Sequence, residues 1–286
     1  MTSYLVTGAN GQLGRCFHAL RGQFPKIQLH FASREEVDIT QPQTLEKHVV
    51  KKAFNGIINC AAYTEVDQAE KELDEAYAIN EKGVKQVVAF CEKHQLKLIH
   101  FSTDYVFDGK ATVPYQETDT INPISVYGQS KARGEKIVLE AQIPAVVLRI
   151  SWLFSPFGKN FVKTIAALAQ TKKNIEVVAD QFGCPTSGLS LARMVLEQLE
   201  NPFFWKHNCY HFANQGSTTW FQWAQEIIRF KGLQTTVVPI TTQDYPTPAQ
   251  RPKNSILSTQ KIENTLPLSI PSWQTALREC LEYHHG

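Results

Sequence analysis

The sequence predicts an α/β protein built on a doubly wound parallel sheet with a smaller C-terminal α/β lobe, and three observations carry that expectation. Short apolar strand candidates alternate with helix-length amphipathic stretches from the first residues to about position 150. A glycine-rich turn joins the first strand to the first helix. Beyond Trp152 the alternation becomes irregular, as a second, smaller unit would make it. Strands separated by helices pair in parallel, and the crossover helices then cover both faces of the sheet.

The elements follow in order. Residues 4–6 form an apolar strand that runs straight into Gly8, and 12–23 carry a helical pattern. Next come a strand at 27–32, a helix at 44–53, a strand at 56–62, a long helical stretch at 69–94 and a strand at 96–102. A polar loop holding Pro114 and Pro123 precedes a helix at 127–140 and a strand at 145–150. The remainder reads as helix 161–171, strand 175–178, helix 189–199, strand 210–213, helix 220–230, strand 236–240, a Pro-rich stretch and a closing helix at 272–283. There is no internal repeat. This divides the chain into a cofactor domain at 1–150 and, at 151–286, mainly a substrate-binding lobe, some of whose segments are free to return to the first sheet.

Composition narrows the function. Of 286 residues, 43% are hydrophobic and 20% charged, enough apolar material for a large core and too much for disorder. The net charge is +2 without any sustained Lys/Arg run, which excludes the electrostatic footprint of a nucleic-acid or anionic-membrane partner and leaves a small molecule as the substrate. Six scattered cysteines without a CxxC pair read as free thiols of a reducing compartment, and no metal site is expected. The opening MTSYLVTG lacks a basic-then-apolar leader, and no apolar run reaches the roughly eighteen residues of a spanning helix. A cytoplasmic location is therefore expected, while nothing sets the oligomeric state.

Gly8, Gly11 and Gly14 form a GxxGxxG between the first strand and the first helix. Glycines there permit a tight turn and let backbone amides approach a pyrophosphate at the positive end of the helix, so the first unit is expected to be Rossmann-like and to bind a dinucleotide. After the second strand stand Ser33 and Arg34 where an acidic residue would favour NADH. A guanidinium there accommodates a 2′-phosphate, which points to NADPH with NADH as the lesser cofactor. Asp38 and Ile39 are the candidates to meet the adenine.

Tyr127 and Lys131 are one helical turn apart and share a face, just beyond a strand that ends in Ser102, Thr103 and Asp104. Ligands of parallel sheets bind at the carboxyl ends of the strands. Hydride delivered to a carbonyl carbon leaves an alkoxide that needs a proton, and a tyrosine whose pKa of about 10 is lowered by a nearby ammonium is suited to give it. Tyr127 is the expected acid, Lys131 the source of that field and a holder of the cofactor ribose, and Thr103 the hydroxyl that orients the substrate oxygen.

These residues resemble the extended short-chain dehydrogenases and, within them, the dTDP-4-dehydrorhamnose reductases. The likeness covers nearly the whole chain through GANGQLG at 8–14, DIT at 38–40, NCAAYTEVDQAE at 59–70, STDYVFDG at 102–109 and YGQSK at 127–131. RISWLFSPFGKNFV at 149–162, DQFGCPT at 180–186 and RPKNSIL at 251–257 complete it. The resemblance implies reduction of the C4 ketone of dTDP-4-dehydro-6-deoxy-L-mannose to dTDP-L-rhamnose. It implies that Asn10, Gln12 and Leu13 lie along the pyrophosphate and Ala61, Ala62 and Tyr63 beside the ribose and nicotinamide. Thr64, Val66, Asp67, Thr103, Asp104 and Trp152 match positions that contact the sugar nucleotide, and Asn160, Asp180, Gln181 and Arg251 are secondary candidates. Some relatives form metal-bridged dimers through an acidic residue where this chain has Arg15, and a cation there opposes a divalent metal.

Two other functions share these motifs. An epimerase or 4,6-dehydratase would use the same tyrosine and lysine, but tightly held NAD calls for an acid near Ser33 and Arg34. A non-catalytic NADP-binding regulatory subunit could dispense with the tyrosine or lysine, and this chain keeps both.

Overall fold

A computed structural model, which describes residues 1–49 and 53–283, arranges the alternating elements around one six-stranded parallel sheet. The first half contains β1 (Thr2–Thr7), α1 (Gln12–Leu20), β2 (Ile27–Phe31), α2 (Pro42–Val49), β3 (Gly56–Asn59), α3 (Val66–Ala69), α4 (Leu73–Tyr77) and α5 (Val84–His94). It continues with β4 (Lys97–Thr103), α6 (Val126–Leu139) and β5 (Ala145–Ile150). The second half holds β6 (Leu153–Phe154), α7 (Phe161–Leu168), β7 (Asn174–Val178), β8 (Phe182–Gly183), β9 (Thr186–Ser187), α8 (Gly188–Gln198) and β10 (Cys209–Phe212). Last come β11 (Thr218–Thr219), α9 (Trp220–Phe230), β12 (Thr236–Ile240), α10 (Gln260–Thr265) and α11 (Trp273–Glu282).

The strands lie in the order β10-β5-β4-β3-β1-β2, and every pairing is parallel. Side chains alternate along each strand, so each strand feeds two cores. Tyr4, Val6, Ile58, Ile99 and Leu148 pack on one face with residues of α1 and α8, while Leu5, Ile57, Leu98 and Val147 pack on the other with residues of α5 and α6. Truncating a fully buried member such as Ile58 to Ala is expected to cost roughly 2–5 kcal/mol. The edge strand β10 comes from the second half of the chain. Parallel pairing to β5 requires a crossover, and α8 supplies it while packing against α1.

A separate core forms the lobe. Trp223, Ile227, Val162, Ile175 and Leu277 bring α7, α9, α11 and β7 together, with β12 paired in parallel to β7. Among the described residues no helix is long and apolar enough to cross a membrane.

Several expected boundaries move for identifiable reasons. The stretch 69–94 is not one helix. It begins as α3, breaks, resumes as α4, and passes through a π-helical segment, Ala78–Gly83, into α5. Within that segment the buried Asn80 accepts from the Tyr63 amide (2.9 Å) and donates to the Tyr63 carbonyl (3.0 Å) and the Ser130 hydroxyl (3.0 Å), tying the helix to the end of β3. β3 stops at Asn59 and not at residue 62, and the backbone at Cys60 and Ala61 then passes close against Gly8. α1 ends at Leu20 and continues as a short 3-10 turn, Arg21–Gln23. Residues 50–52 of the helix expected at 44–53 lie outside the described residues. β6, β8, β9 and β11 are two residues each, too short to show a period.

Candidate active site

The carboxyl ends of β1, β3, β4 and β5 share one edge of the sheet, and the β1–α1 turn lines it with backbone. Gly8 has φ +62, and a Cβ on it would sit 2.7 Å from the Ala61 nitrogen. A Cβ on Gly14 would come within 2.5 Å of the Gly8 carbonyl oxygen and 2.7 Å of Ala9 Cα. Real Cβ atoms do not approach backbone so closely, so only glycine permits this turn. Gly11 caps α1 with no side-chain hydrogen bond, which leaves first-turn amides free to bind an anion. The cradle fits a dinucleotide diphosphate.

Around it, Asn10 is exposed and Leu13 places its side chain in the core, so at Leu13 the backbone is what the loop can offer. Gln12 turns toward the lobe, where its Oε1 accepts from Ser155 Oγ (2.9 Å) and Asn160 Nδ2 (3.0 Å). Ala61 and Ala62 are half-buried beside Gly8. Tyr63 directs its hydroxyl to Glu72 (2.8 Å), and burial with that carboxylate pushes the phenol up to about 12. At the end of β2, Arg34 is 66% exposed, with Asp38 at 3.9 Å and Glu75 at 3.7 Å. Asp38 also accepts from the Thr40 amide and hydroxyl, and Ile39 is buried against Gly83.

The candidate reacting groups come together at the start of α6. Ser125 caps that helix by accepting from the Gly128 amide (3.2 Å), and Gly128 lies so close to the turn after β4 that a Cβ would fall 2.3 Å from the Tyr105 carbonyl oxygen. This contact seats Tyr127 beside Thr103 and Asp104, with the Tyr105 and Tyr127 rings edge to face at 5.7 Å. Thr103 Oγ1 donates to Asp104 Oδ1 (3.0 Å). Lys131 is buried and donates to the Phe101 carbonyl (2.6 Å). Burial lowers its ammonium to about 8, against the opposing pull of Glu135.

One electrostatic expectation is overturned here. Tyr127 was expected to have its pKa lowered by Lys131, yet burial pushes the phenol up to about 12, Asp104 adding to the rise and the Thr103 hydroxyl opposing it. Desolvation penalises the phenolate more than the Thr103 hydrogen bond favours it, and the Lys131 ammonium, turned to the Phe101 carbonyl, is not among the groups that lower it. Asp104 is itself buried, which raises its carboxyl to about 7 against the hydroxyls of Ser255 and Thr103.

The far wall is made of side chains. Trp152, just beyond β5, has φ +47 and stacks on Trp220 with ring centroids 3.7 Å apart. Asp67, on α3, is held by a forked pair to Arg251, in which Arg251 Nη2 lies 2.6 Å from Asp67 Oδ2, and it also accepts from the Ala249 amide (3.2 Å). That pair lowers the Asp67 carboxyl from its ordinary value. Thr64 is exposed and Val66 half-buried just before and at the start of α3.

The structure thus gathers the glycine loop, Ala61–Tyr63, Thr103, Asp104, Tyr127 and Lys131 at the sheet edge, with Trp152 close beyond it. Arg34 and Asp38 stand at the end of β2, the strand at the far edge of the sheet. Ser155 and Trp220 were not singled out from the sequence. Asn160 carried a legible signal, an N-cap residue before an apolar helix, and it does cap α7 through the Lys163 amide (3.1 Å).

A family model described as the RmlD substrate binding domain matches residues 1–285. The chain is 39% identical over 295 aligned positions to a dTDP-4-dehydrorhamnose reductase of Aggregatibacter actinomycetemcomitans, with 99% of each chain covered. Among solved structures, a dTDP-4-dehydrorhamnose reductase from Clostridium acetobutylicum has a TM-score of 0.92 at 37% identity, covering 98% of this chain and 99% of that one. Another from Bacillus anthracis, in complex with NADP, has a TM-score of 0.93 at 36% identity with the same coverage.

Proposed function

The chain belongs to the RmlD substrate binding domain family, and on that premise we propose that it is an NADPH-dependent reductase converting dTDP-4-dehydro-6-deoxy-L-mannose to dTDP-L-rhamnose. The observation that carries this reading is the placement of a half-buried Tyr127 beside the buried Thr103 and Asp104 at the same sheet edge as a cradle that only glycine permits. In this reading residues 1–150 hold the cofactor, 151–286 mainly form the substrate lobe, and the enzyme works in the cytoplasm.

Gly8, Gly11 and Gly14, with Asn10, Gln12 and Leu13, hold the diphosphate. Ala61, Ala62, Tyr63 and Lys131 face the ribose and nicotinamide, Asp38 and Ile39 the adenine, and Arg34 the 2′-phosphate. When bound, the reduced nicotinamide supplies hydride to C4 of the sugar. Thr103 orients the C4 oxygen, and Tyr127 gives that oxygen its proton. With its phenol pushed up to about 12, Tyr127 carries this proton throughout the neutral range. Lys131 stays an ammonium below about 8, held by the Phe101 carbonyl. Thr64, Val66, Asp67, Asp104 and Trp152 face the sugar nucleotide.

Purified protein with dTDP-4-dehydrorhamnose should consume one NADPH per ketone, and NMR of the product should show the rhamnose configuration. Absence of turnover would remove the reductase reading. A talose product would keep the chemistry and correct the face of attack.

A further inference from the structure

Trp152 occupies a left-handed backbone conformation that residues with side chains rarely adopt, so its surroundings must hold it there. One face of its indole lies flat on Trp220, at 15° between planes. Trp220 Nε1 donates to Gln181 Oε1 (3.2 Å), and the buried Gln181 donates through Nε2 to Thr242 Oγ1 (3.1 Å). The Thr242 hydroxyl spends its proton on Asp180 Oδ1 (2.7 Å), so it can only accept from Gln181. That fixes which way round the Gln181 amide sits, with its oxygen toward the indole N–H of Trp220.

The edge of Trp152 is equally constrained. A Cβ on Gly183 would lie 2.4 Å from Trp152 Cε2 and 2.8 Å from its Nε1. Gly183 is not among the glycines at positive φ, so room for the indole, and not backbone freedom, is what requires glycine there. The Trp152 N–H itself has no hydrogen-bond partner among the described residues. Trp223, which continues the stack, is fully buried, whereas Trp152 and Trp220 are only half-buried at the cleft. Ile150, two residues before Trp152, is paired in register with Thr103.

We propose that Trp220, oriented by Gln181, is a positioning residue that holds the Trp152 indole in place for the sugar of the dTDP-linked substrate, and that Gly183 is a specificity-determining residue because any side chain there would displace that indole. This rests on the reductase reading above. The ring system gives the substrate an apolar wall, and the Asp180–Thr242–Gln181–Trp220 series decides where it stands.

The test uses the whole enzyme with NADPH and reads three quantities. Face-to-face indoles couple optically, so wild type should show a two-signed far-ultraviolet circular dichroism band that Trp220→Ala weakens, the Trp152–Trp223 stack remaining. Affinity for dTDP-rhamnose, measured by calorimetry with NADP⁺ present, and KM for the ketone should each worsen roughly tenfold in Trp220→Ala and Gly183→Ala, about the worth of one aromatic pair. NADPH affinity and kcat should stay near wild type. Gln181→Met, which keeps the volume and removes the acceptor, should weaken substrate binding by a smaller factor. If Trp220→Ala does not fold, Trp220→Phe keeps the lobe filled and should show the same split between KM and kcat. Wild-type substrate affinity in folded variants whose coupled band is weakened would overturn the proposal and leave the reductase reading standing. Failure of the wild type to reduce or bind any dTDP sugar would overturn both.

Discussion

The two walls of the cleft are made by different means. On the cofactor side the surface is backbone: Gly8 and Gly14 bring one turn to within contact of the chain at Ala61 and Ala9, and α1 begins with open amides. On the facing side the surface is side chains held by partners from the second half of the chain, Trp152 by Trp220 and, on α3 of the first half, Asp67 by Arg251. A backbone wall fails when an atom is added, and a side-chain wall fails when one is removed. Each wall therefore has its own signature in mutation, and the residues between them should follow neither.

Tyr127 stands where the walls meet and should show the largest effect. Tyr127→Phe keeps the ring and removes the acid, so turnover should fall on the order of a hundredfold to ten thousandfold while NADPH affinity, read by fluorescence, is unchanged. Near-normal turnover would sink the assignment of the proton donor.

Asp104, its neighbour, gives a pH signature instead. A carboxyl at about 7 in the folded chain and near 4 when unfolded keeps its proton on folding through that interval, so its contribution to stability is full below about 4 and is lost as pH rises through about 7. A displacement of that size is worth at most ~4 kcal/mol. Urea unfolding at pH 5 and pH 8 should show the wild type losing stability across the interval and Asp104→Asn losing far less. A slope that persists in the variant would assign the pH dependence to other groups.

Gly14→Ala tests the backbone wall directly. The added carbon meets main-chain atoms that no rotamer can move, so NADPH affinity should drop on the order of a hundredfold, at the upper end of overpacking costs. Binding of dTDP-rhamnose by the lobe side should survive in the same protein. Asp67→Ala should do the converse, weakening the sugar nucleotide roughly tenfold by releasing Arg251 and sparing NADPH. If either substitution damages both ligands equally, the division between the walls is wrong.

The difference between the walls also explains what could be read in advance. Glycines three apart after a strand, and Tyr127 one turn before Lys131, are patterns within a few residues, and local geometry follows from them. The partners of Asp67, Gln12 and Trp152 are set by folding of the second half, and no spacing announces them. The strand at 210–213 was legible as a strand, but its seat beside β5 depends on where α8 packs. Burial decided the sign at Tyr127: helical spacing puts Lys131 on the same face, yet its ammonium goes to the Phe101 carbonyl, and desolvation, which depends on everything packed around the ring, raises the phenol.

The smallest expected effect is at Arg34, which belongs to the cofactor side but acts through a side chain. If it reads the 2′-phosphate, Arg34→Ala should raise the KM for NADPH and leave that for NADH alone. Its setting limits the size of the change. The guanidinium is 66% exposed, and Asp38 at 3.9 Å and Glu75 at 3.7 Å compete with a phosphate for it while adding negative charge nearby. Exposed pairs of this kind are worth at most about 1 kcal/mol, so the expected rise is roughly fivefold or less. Glu75→Gln sharpens the test, because removing one competing carboxylate should improve NADPH binding slightly and make it more dependent on Arg34. Titrating both cofactors into both variants at low salt, where surface charges are least screened, separates the cases. Equal loss for NADPH and NADH in Arg34→Ala would mean that Arg34 only balances its two carboxylates and that cofactor choice is made elsewhere in the backbone wall.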